Sequence, residues 1–258
     1  SRGRHAEGRV VKVIGSPGDP GIDTDLIIEE HELPRDFTPG ALEEARSIPQ
    51  HVTLAMRKGR KDLRGLPTVT IDGEKARDFD DALSIEQIRG GWRLWVHIAD
   101  VAHYVTDGSF LDQEAYGRGT SVYFPDRAIP MLPEALSNGI CSLNPKVDRL
   151  TLTCEMEIDK QGAVGNYDIY ESVITSNERM TYTAVKAILV DRDQELRKRY
   201  AALAPKFELM EALMEDMRQK RSRRGSRELG LPEPDGAVRC TACGHRCLIR
   251  DGRRGICR

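Results

Sequence analysis

The sequence predicts an α+β protein in which a mixed or antiparallel sheet is flanked by helices. From Pro67 onward, strand-forming residues occur in alternating runs that are separated by glycine turns. After Thr183 the pattern changes to charged segments with apolar residues at helical spacing. The chain has 258 residues, 39% hydrophobic and 31% charged, which is enough for one substantial core or two modest ones.

Composition argues against a membrane protein. No apolar run approaches the roughly 18 residues that span a bilayer, and the start "SRGRHAEGRVV" has no apolar signal core. We therefore expect a cytoplasmic protein without a membrane partner. The formal net charge of −2 does not require a broad basic surface, so nucleic acid would have to bind in a local basic groove.

The first 66 residues divide into two segments. Arg9–Ile14 has strand propensity and is followed by glycine and proline, so residues 1–20 are predicted to hold the last strand of a domain that begins upstream. Residues 21–66 are charged and interrupted by prolines. They are predicted to form a linker with one short helix around Ala41–Arg46.

Three strands are predicted next, at "PTVTID", "ALSIEQI" and "WRLWVHIADVAHYV". The third run alternates between two sets of side chains, Trp92, Leu94, Val96 and Ile98 and then Arg93, Trp95, His97 and Ala99. A period of two is typical of a half-buried strand, and Gly90-Gly91 suits a tight hairpin turn before it.

A second hairpin and two helices complete the predicted elements. The segments "RLTLTCEMEID" and "NYDIYESVI" are predicted to pair across a turn at residues 160–165. A helix is predicted around Thr183–Leu189, followed by a charged amphipathic helix. One face of that second helix is predicted to be core, at Phe207, Met210, Met214 and Met217.

The stretch "IDGEKARDFDDA" concentrates four carboxylates between two predicted strands, at Asp72, Asp78, Asp80 and Asp81. Close like charges repel and unpaired burial is costly, so convergence of these side chains requires a cation. Oxygen ligands without nearby histidine or cysteine favour Mg²⁺ or Mn²⁺ and phosphate chemistry. Two such ions can activate a water and stabilise a leaving oxygen. From spacing alone, a calcium-like loop or a solvated acidic turn remains an equal alternative.

Four of the six cysteines lie in the last nineteen residues, at Cys240, Cys243, Cys247 and Cys257. Thiolates at this spacing, with His245 among them, predict a zinc or iron–sulfur site. A frayed tail without metal is the alternative. Cys141 and Cys154 are predicted to be free, buried thiols.

Several blocks of the chain resemble one known family. "TIDGEKARDFDDALSI", "VHIADVAHYV", "SVYFPDRAIPMLPEALSNGICSLNPKVDRLTLTCEMEID" and "YESVITSNERMTYTAV" are similar to the RNB catalytic domain of the ribonuclease II/ribonuclease R exonucleases, and closer to the ribonuclease R branch. The resemblance implies the first half of an RNB domain at residues 67–235, after the end of an OB-type cold-shock domain at 1–20 and a linker at 21–66. It further implies 3′-to-5′ hydrolysis of single-stranded RNA to nucleoside monophosphates with Mg²⁺.

The resemblance also implies site residues. The four family aspartates fall on Asp72, Asp78, Asp80 and Asp81. Tyr123 in "VYFPDR" matches a position that stacks on a base, and Tyr182 in "MTYTAV" matches a tyrosine beside the scissile phosphate that holds the terminal nucleotide. Aromatic stacking grips single strands of any sequence, at about 1–3 kcal/mol per base. His97 and His103 are expected to be structural.

The resemblance ends near "LPEPDG". In the family, the catalytic domain continues and supplies a further acidic residue and an arginine-bearing block, so we expect the present chain to be weak or inactive alone. Residues 236–258 are similar to the cysteine segment of radical-SAM activating enzymes, without their C-x-x-x-C-x-x-C motif, and a gene fusion or an assembly artefact could each explain the junction. The competing interpretation of the chain is a non-catalytic RNA-binding remnant or a Cys-rich metal-binding module. The intact aspartate quartet favours the enzyme.

Overall fold

The computed structural model describes residues 8–224, 230–232, 238–240 and 248–249, with only the backbone described beyond residue 218. The chain forms two compact units, each from separate segments. The first unit combines Ser1–Gln50 with Val101–Cys141, and the second combines His51–Asp100 with Ser142–Arg258.

The described residues contain helices α1 (Ile22–Glu30), α2 (Pro39–Ser47), α3 (Leu54–Arg57), α4 (Phe110–Arg118), α5 (Tyr182–Leu189), α6 (Gln194–Arg199) and α7 (Ala204–Arg224), a 3₁₀ turn (Val101–His103) and a π-helix (Ala135–Ile140). The strands are β1 (Lys61–Asp62), β2 (Val69–Asp72), β3 (Asp81–Ile88), β4 (Gly91–Ala99), β5 (Val122–Tyr123), β6 (Ala128–Ile129), β7 (Asp148–Asp159), β8 (Val164–Thr175), β9 (Glu178–Thr181), β10 (Gly230–Pro232), β11 (Val238–Cys240) and β12 (Leu248–Ile249). None of the helices in these ranges is long and apolar enough to span a membrane.

The first unit is built around the contact of α2 with α4. Thr38 caps α2 by accepting a hydrogen bond from the Ala41 amide at 3.4 Å, and Pro39 begins the helix. A Cβ at Gly40 would lie 2.8 Å from the ring of Phe110, so any other residue there would force that ring to move. The predicted helix around Ala41–Arg46 is confirmed as part of α2, whereas α1 and α4 lie where none was predicted.

The predicted strand at Arg9–Ile14 is wrong. This segment has no regular secondary structure, and Val10, Val11 and Val13 are exposed. A strand is stable only when its backbone pairs with a neighbour, and among the described residues no strand pairs with this segment. Strand propensity without a partner therefore leaves it irregular.

The second unit is organised by a seven-stranded mixed sheet with the order β1-β8-β7-β4-β3-β2-β9. Its middle strands are antiparallel, and the edge strands β1 and β9 pair in parallel with β8 and β2. Helix α7 packs on β3. The predicted α+β class with a mixed sheet and flanking helices is confirmed, and so are both predicted hairpins.

Strand β4 has one face that is buried more completely than the other, as its alternation predicts. It lies between β3 and β7, and Trp92, Trp95, His97 and Ala99 are all buried. His97 is satisfied there by Ser84 Oγ at 3.1 Å and Thr153 Oγ1 at 2.7 Å. The expected structural role of His97 agrees with these contacts. In the other set of side chains, Leu94 and Val96 are partly buried and Ile98 is 47% exposed, so the predicted half-buried strand is confirmed.

The turn before β4 is also shifted by one residue. Ile88 pairs with Gly91, so the turn is formed by Arg89 and Gly90, and Gly90 has a φ of 95°. Gly91 belongs to the strand, where a Cβ would lie 1.9 Å from the Ile158 carbonyl oxygen. The two glycines are therefore needed for different reasons, a left-handed turn and a close backbone approach.

The predicted apolar face of α7 is core only in part. Phe207 is buried against Val69 and Met180, while Met210 is partly buried beside them. Met214 and Met217 remain exposed and line an open apolar groove of about 410 Å³. Beyond Met210, α7 packs on the sheet through Leu213, which is buried with Ile85 and Ile158, and not through the two predicted methionines.

Candidate active site at the aspartate loop

The aspartate loop, residues 73–80, connects β2 to β3 within the second unit. Asp72 is the last residue of β2 and Asp81 is the first of β3, whereas Asp78 and Asp80 lie in the loop itself. Two of the four predicted carboxylates are thus placed by strand ends and two by an irregular segment.

The loop is anchored from inside by Ser142. This serine is buried, and its Oγ donates to the Arg77 carbonyl at 2.7 Å and accepts from the Phe79 amide at 3.0 Å. The amide of Leu143 donates to the Phe79 carbonyl at 2.9 Å, and the Phe79 ring is buried. The backbone on both sides of Asp78 is therefore bonded to a single hydroxyl.

Arg179 on β9 anchors the other end of the loop. Its Nη2 donates to the carbonyls of Gly73 at 3.0 Å and Glu74 at 2.6 Å. Its guanidinium carbon also lies 5.2 Å from the ring centroid of Phe79. One side chain thus contacts both the entry of the loop and the residue between Asp78 and Asp80.

The exit of the loop is held by the sheet. The Ala99 amide donates to the Asp80 carbonyl at 2.9 Å, and Asp81 is the antiparallel partner of Ile98. Asp80 and Asp81 are both exposed, so their carboxylates are accessible to a ligand.

The carboxylates interact electrostatically. Burial raises the pKa of Asp72, and the charges of Asp81 and Asp78 raise it further, against smaller opposing effects of the Gly73 amide and Arg179. Desolvation by surrounding protein also raises the pKa of Asp80, followed by the charges of Asp78, Asp81 and Asp72. These shifts are those expected of acids that lack a sufficient positive partner.

The four aspartate carboxylates nevertheless do not converge on one metal position. Within the described ranges, no three His, Cys, Asp or Glu side chains are grouped closely enough to hold a metal ion. The structure brings the four aspartates into electrostatic range of one another without gathering them as a ready set of ligands. Their assignment as metal ligands stays a prediction.

Tyr182 lies next to the aspartates. Parallel pairing of β2 with β9 places Asp72 opposite Thr181, and Tyr182 follows as the first residue of α5. Thr181 caps α5 by accepting from the Ala184 amide at 3.1 Å. Thr183 Oγ1 donates to Glu74 in the aspartate loop. Tyr182 is 63% exposed, so its ring is accessible beside the acidic residues.

Tyr123 belongs to the first unit. It ends β5, which pairs with β6, and it is 67% exposed. Exposure of the ring is compatible with base stacking, and that role stays a prediction.

The predicted cysteine site lies largely outside the described residues. Cys243, Cys247 and Cys257 fall there, and only the backbone of Cys240, at the end of β11, is described. The pairing of β11 with β10 and β12 was not predicted. Cys141 and Cys154 form no disulfide, and the first is buried while the second is partly buried.

Sequence reasoning missed Ser142 and Arg179. Ser142 is 63 residues from Phe79 in sequence, and no local pattern connects the two. Arg179 stands in "NERMTY", three residues before Tyr182, so the block that contains the predicted tyrosine was the available signal.

Known proteins resemble this chain over most of its length. A family model described as the RNB domain matches residues 60–246, and a model described as a cold shock domain matches residues 1–38. Ribonuclease R of Vibrio cholerae is 47% identical over 234 residues, covering 90% of this chain and 28% of that protein. Ribonuclease R of Thermotoga maritima is 49% identical over 229 residues, covering 88% of this chain and 32% of that protein.

A solved structure gives the same result. Mycoplasma genitalium RNase R in complex with ribose-methylated single-stranded RNA has a TM-score of 0.75 and 29% identity, covering 92% of this chain and 36% of that one. The chain thus spans about a third of the length of these relatives. The predicted boundaries at residues 20, 66 and 235 stay predictions. Because the RNB match includes the aspartate loop, Ser142, Arg179 and Tyr182, the chain belongs to the RNB domain family.

Proposed function

We propose that this chain carries the acidic part of the catalytic site of a cytoplasmic 3′-to-5′ exoribonuclease that hydrolyses single-stranded RNA to nucleoside monophosphates. The observation that carries the proposal is the raised pKa of Asp72 and Asp80 within a coupled quartet, beside the exposed Tyr182. Perturbed acids next to an accessible aromatic are typical of a functional site rather than of a solvated turn.

The donor set fits a divalent cation. Asp72, Asp78, Asp80 and Asp81 offer only carboxylate oxygens, the ligands that Mg²⁺ and Mn²⁺ prefer. The neighbouring Arg179 donates to backbone carbonyls and offsets the acidic charge only partly. Such an ion, when bound, would activate the attacking water and stabilise the leaving oxygen.

The protein's own side chains would hold and orient the RNA. Tyr182 is exposed at the start of α5, where its ring can pack on the terminal nucleotide next to the acids. Tyr123 would stack on a base farther along the strand, since any base offers a π-face. The RNA named with the Mycoplasma genitalium structure supports single-stranded RNA as the partner.

A binding protein without catalysis is the second candidate, because the described carboxylates are not gathered as a metal site. Four acids repel phosphates unless a cation intervenes, so a protein that only binds RNA would gain affinity when one acid is removed. A catalytic site would also lose its hydrolytic activity, so activity and not affinity distinguishes the two candidates.

The experiment places residues 8–224 of this chain into Vibrio cholerae ribonuclease R, in place of the matching segment. We expect the chimera to release nucleoside monophosphates from 3′-accessible RNA with Mg²⁺. Asp80→Asn should lower the rate by orders of magnitude, because it removes a charged ligand and leaves the shape unchanged, while RNA binding is kept or strengthened. Glu86→Gln, on β3 outside the loop, is the matched control. Normal turnover by the Asp80→Asn chimera would refute the assignment.

A further inference from the structure

We propose that Ser142 is a positioning residue for Asp78 and Asp80, holding the backbone from which both carboxylates reach a divalent cation. This inference rests on the proposed function. Ser142 is buried and cannot touch RNA or the cation, so it would act only through the aspartate loop.

The hydrogen bonds of Ser142 bracket Asp78. Its Oγ donates to the carbonyl of Arg77 and accepts from the amide of Phe79, at 2.7 and 3.0 Å. The Leu143 amide adds a bond of 2.9 Å to the Phe79 carbonyl. The peptide groups on either side of Asp78, and the one that leads into Asp80, are therefore fixed to the same short segment.

Ser142 is itself held in place. Its carbonyl accepts from Nε of the buried Arg149 at 2.7 Å and from the Asn144 amide at 2.7 Å. Arg149 lies on β7, where its backbone pairs with Ile174 of β8. The backbone of Ser142 is thus bonded to a paired strand of the sheet, which makes Ser142 a rigid support for the loop.

A rigid support matters because the negative charges of the four aspartates oppose their convergence on a cation. Four carboxylates lie within ten positions of the chain, so repulsion between like charges favours their separation. With the backbone held by Ser142, binding a cation requires only rotation of side chains. Without that support the cation would also have to order the loop, and its affinity would fall.

The experiment measures binding of Mn²⁺ to the purified full chain by electron paramagnetic resonance. Mn²⁺ prefers oxygen ligands, so the cysteine tail competes little. We expect Ser142→Ala to weaken binding by about 10- to 100-fold, as is typical when a group that orients a metal ligand is removed. Ser142→Thr, which keeps the hydroxyl, should recover most of the affinity.

Ser172→Ala is the matched control. Ser172 is also a buried serine of the second unit, and its Oγ bonds to Thr151 and Thr153 at 2.6 Å, away from the loop. Its loss should lower stability and leave Mn²⁺ affinity unchanged. Hydrogen exchange of the Phe79 amide should increase in Ser142→Ala and not in Ser172→Ala.

Each outcome has one meaning. If Ser142→Ala binds Mn²⁺ like the wild type while Asp80→Asn does not, Ser142 is not a positioning residue and the proposed function stands. Equal weakening by Ser172→Ala or failure of Ser142→Thr to recover would also overturn the inference, since the effect would then be general destabilisation. If the wild type does not bind Mn²⁺, or Asp80→Asn binds it normally, the proposed metal site fails and the inference with it.

Discussion

Arg179 stands over Phe79 with its guanidinium carbon 5.2 Å from the ring centroid. From this position the arginine reaches two carbonyls at the loop entry, while the phenylalanine separates the two aspartates of the loop. The pair therefore joins the entry of the aspartate loop to the segment that carries Asp78 and Asp80.

Replacing Arg179 with Met should destabilise the second unit. Hydrogen bonds from a charged donor contribute about 1.5–3 kcal/mol each, and two carbonyls would lose their donor, so we expect the free energy of unfolding to fall by at least about 2 kcal/mol. Arg179→Lys should lower the free energy of unfolding by less, because the lysine ammonium keeps the positive charge although it lacks the planar guanidinium. Urea unfolding measures the free energy of unfolding of each variant.

The control is Arg192→Met, which removes an exposed ion pair with Glu208 and should cost under about 1 kcal/mol. An equal cost for both Met variants would contradict the anchoring role.

Asp80→Asn should stabilise the free protein near neutral pH. The folded pKa of Asp80 is raised, so its ionised form is disfavoured by folding, and any stability it contributes is present at low pH and lost as pH rises through the folded pKa. The side-chain amide introduced by Asp80→Asn carries no charge, so the variant does not lose this stability as pH rises. Mg²⁺ should reverse the order, because a bound cation stabilises the wild type and not the variant. Thermal unfolding with and without Mg²⁺ provides the measurement, and a variant that responds to Mg²⁺ like the wild type would refute the prediction.

His97 should make stability depend on pH in the acidic range. Burial lowers its pKa from 6.5 to about 4. Below pH 6.5, His97 binds a proton in the unfolded chain but not in the folded chain. The free energy of unfolding is therefore highest above pH 6.5 and decreases as pH falls towards 4. The loss amounts to about 3 kcal/mol at 1.36 kcal/mol per pKa unit.

The measurement for His97 is the slope of the unfolding free energy between pH 7 and 4. His97→Gln should flatten this slope whatever the stability of the variant at pH 7. A His97→Gln slope identical to that of the wild type would show that another group titrates.

The chain alone should hydrolyse RNA very weakly or not at all. The aspartate quartet is present and Arg77 lies in the loop, but the neighbouring Arg179 is bonded to backbone carbonyls and does not point its donors at a phosphate position. Loss of one preorganised donor at a transition state costs about 100- to 1,000-fold in rate. The test incubates the chain and Mg²⁺ with 5′-labelled single-stranded RNA, open or blocked at its 3′ end. Efficient degradation of the open strand alone would show that the chain suffices, and equal cleavage of both would contradict a 3′ exonuclease.

The cysteine tail should carry metal if its four thiolates form a site. Purified chain would then contain about one zinc per molecule, and Cys243→Ser would lose it. Cys141→Ser, which changes a cysteine of the first unit that forms no disulfide, is the control. The measurement is elemental analysis of anaerobically prepared protein. If it finds neither zinc nor iron, the tail binds no metal and the prediction is wrong.

The sequence by itself predicted the elements whose signal is local. The strands before and after the aspartate loop, both hairpins and the helix that begins at Tyr182 follow from alternation and turn residues that lie within one segment. The aspartate quartet was visible for the same reason, because all four residues occur within ten positions. The resemblance then indicated which chemistry such a quartet serves.

Only the tertiary structure decided what holds that quartet. Ser142 and Arg179 meet the loop across more than 60 and 100 residues of sequence, and the parallel pairing of β2 with β9 that sets Tyr182 beside Asp72 spans a similar distance. The irregular backbone of Arg9–Ile14 likewise depends on which neighbours are available, since no strand within the described ranges pairs with it. Local propensity indicates which backbone conformation a segment favours. Strand pairing and loop anchoring depend instead on which distant backbone groups and side chains are available as partners.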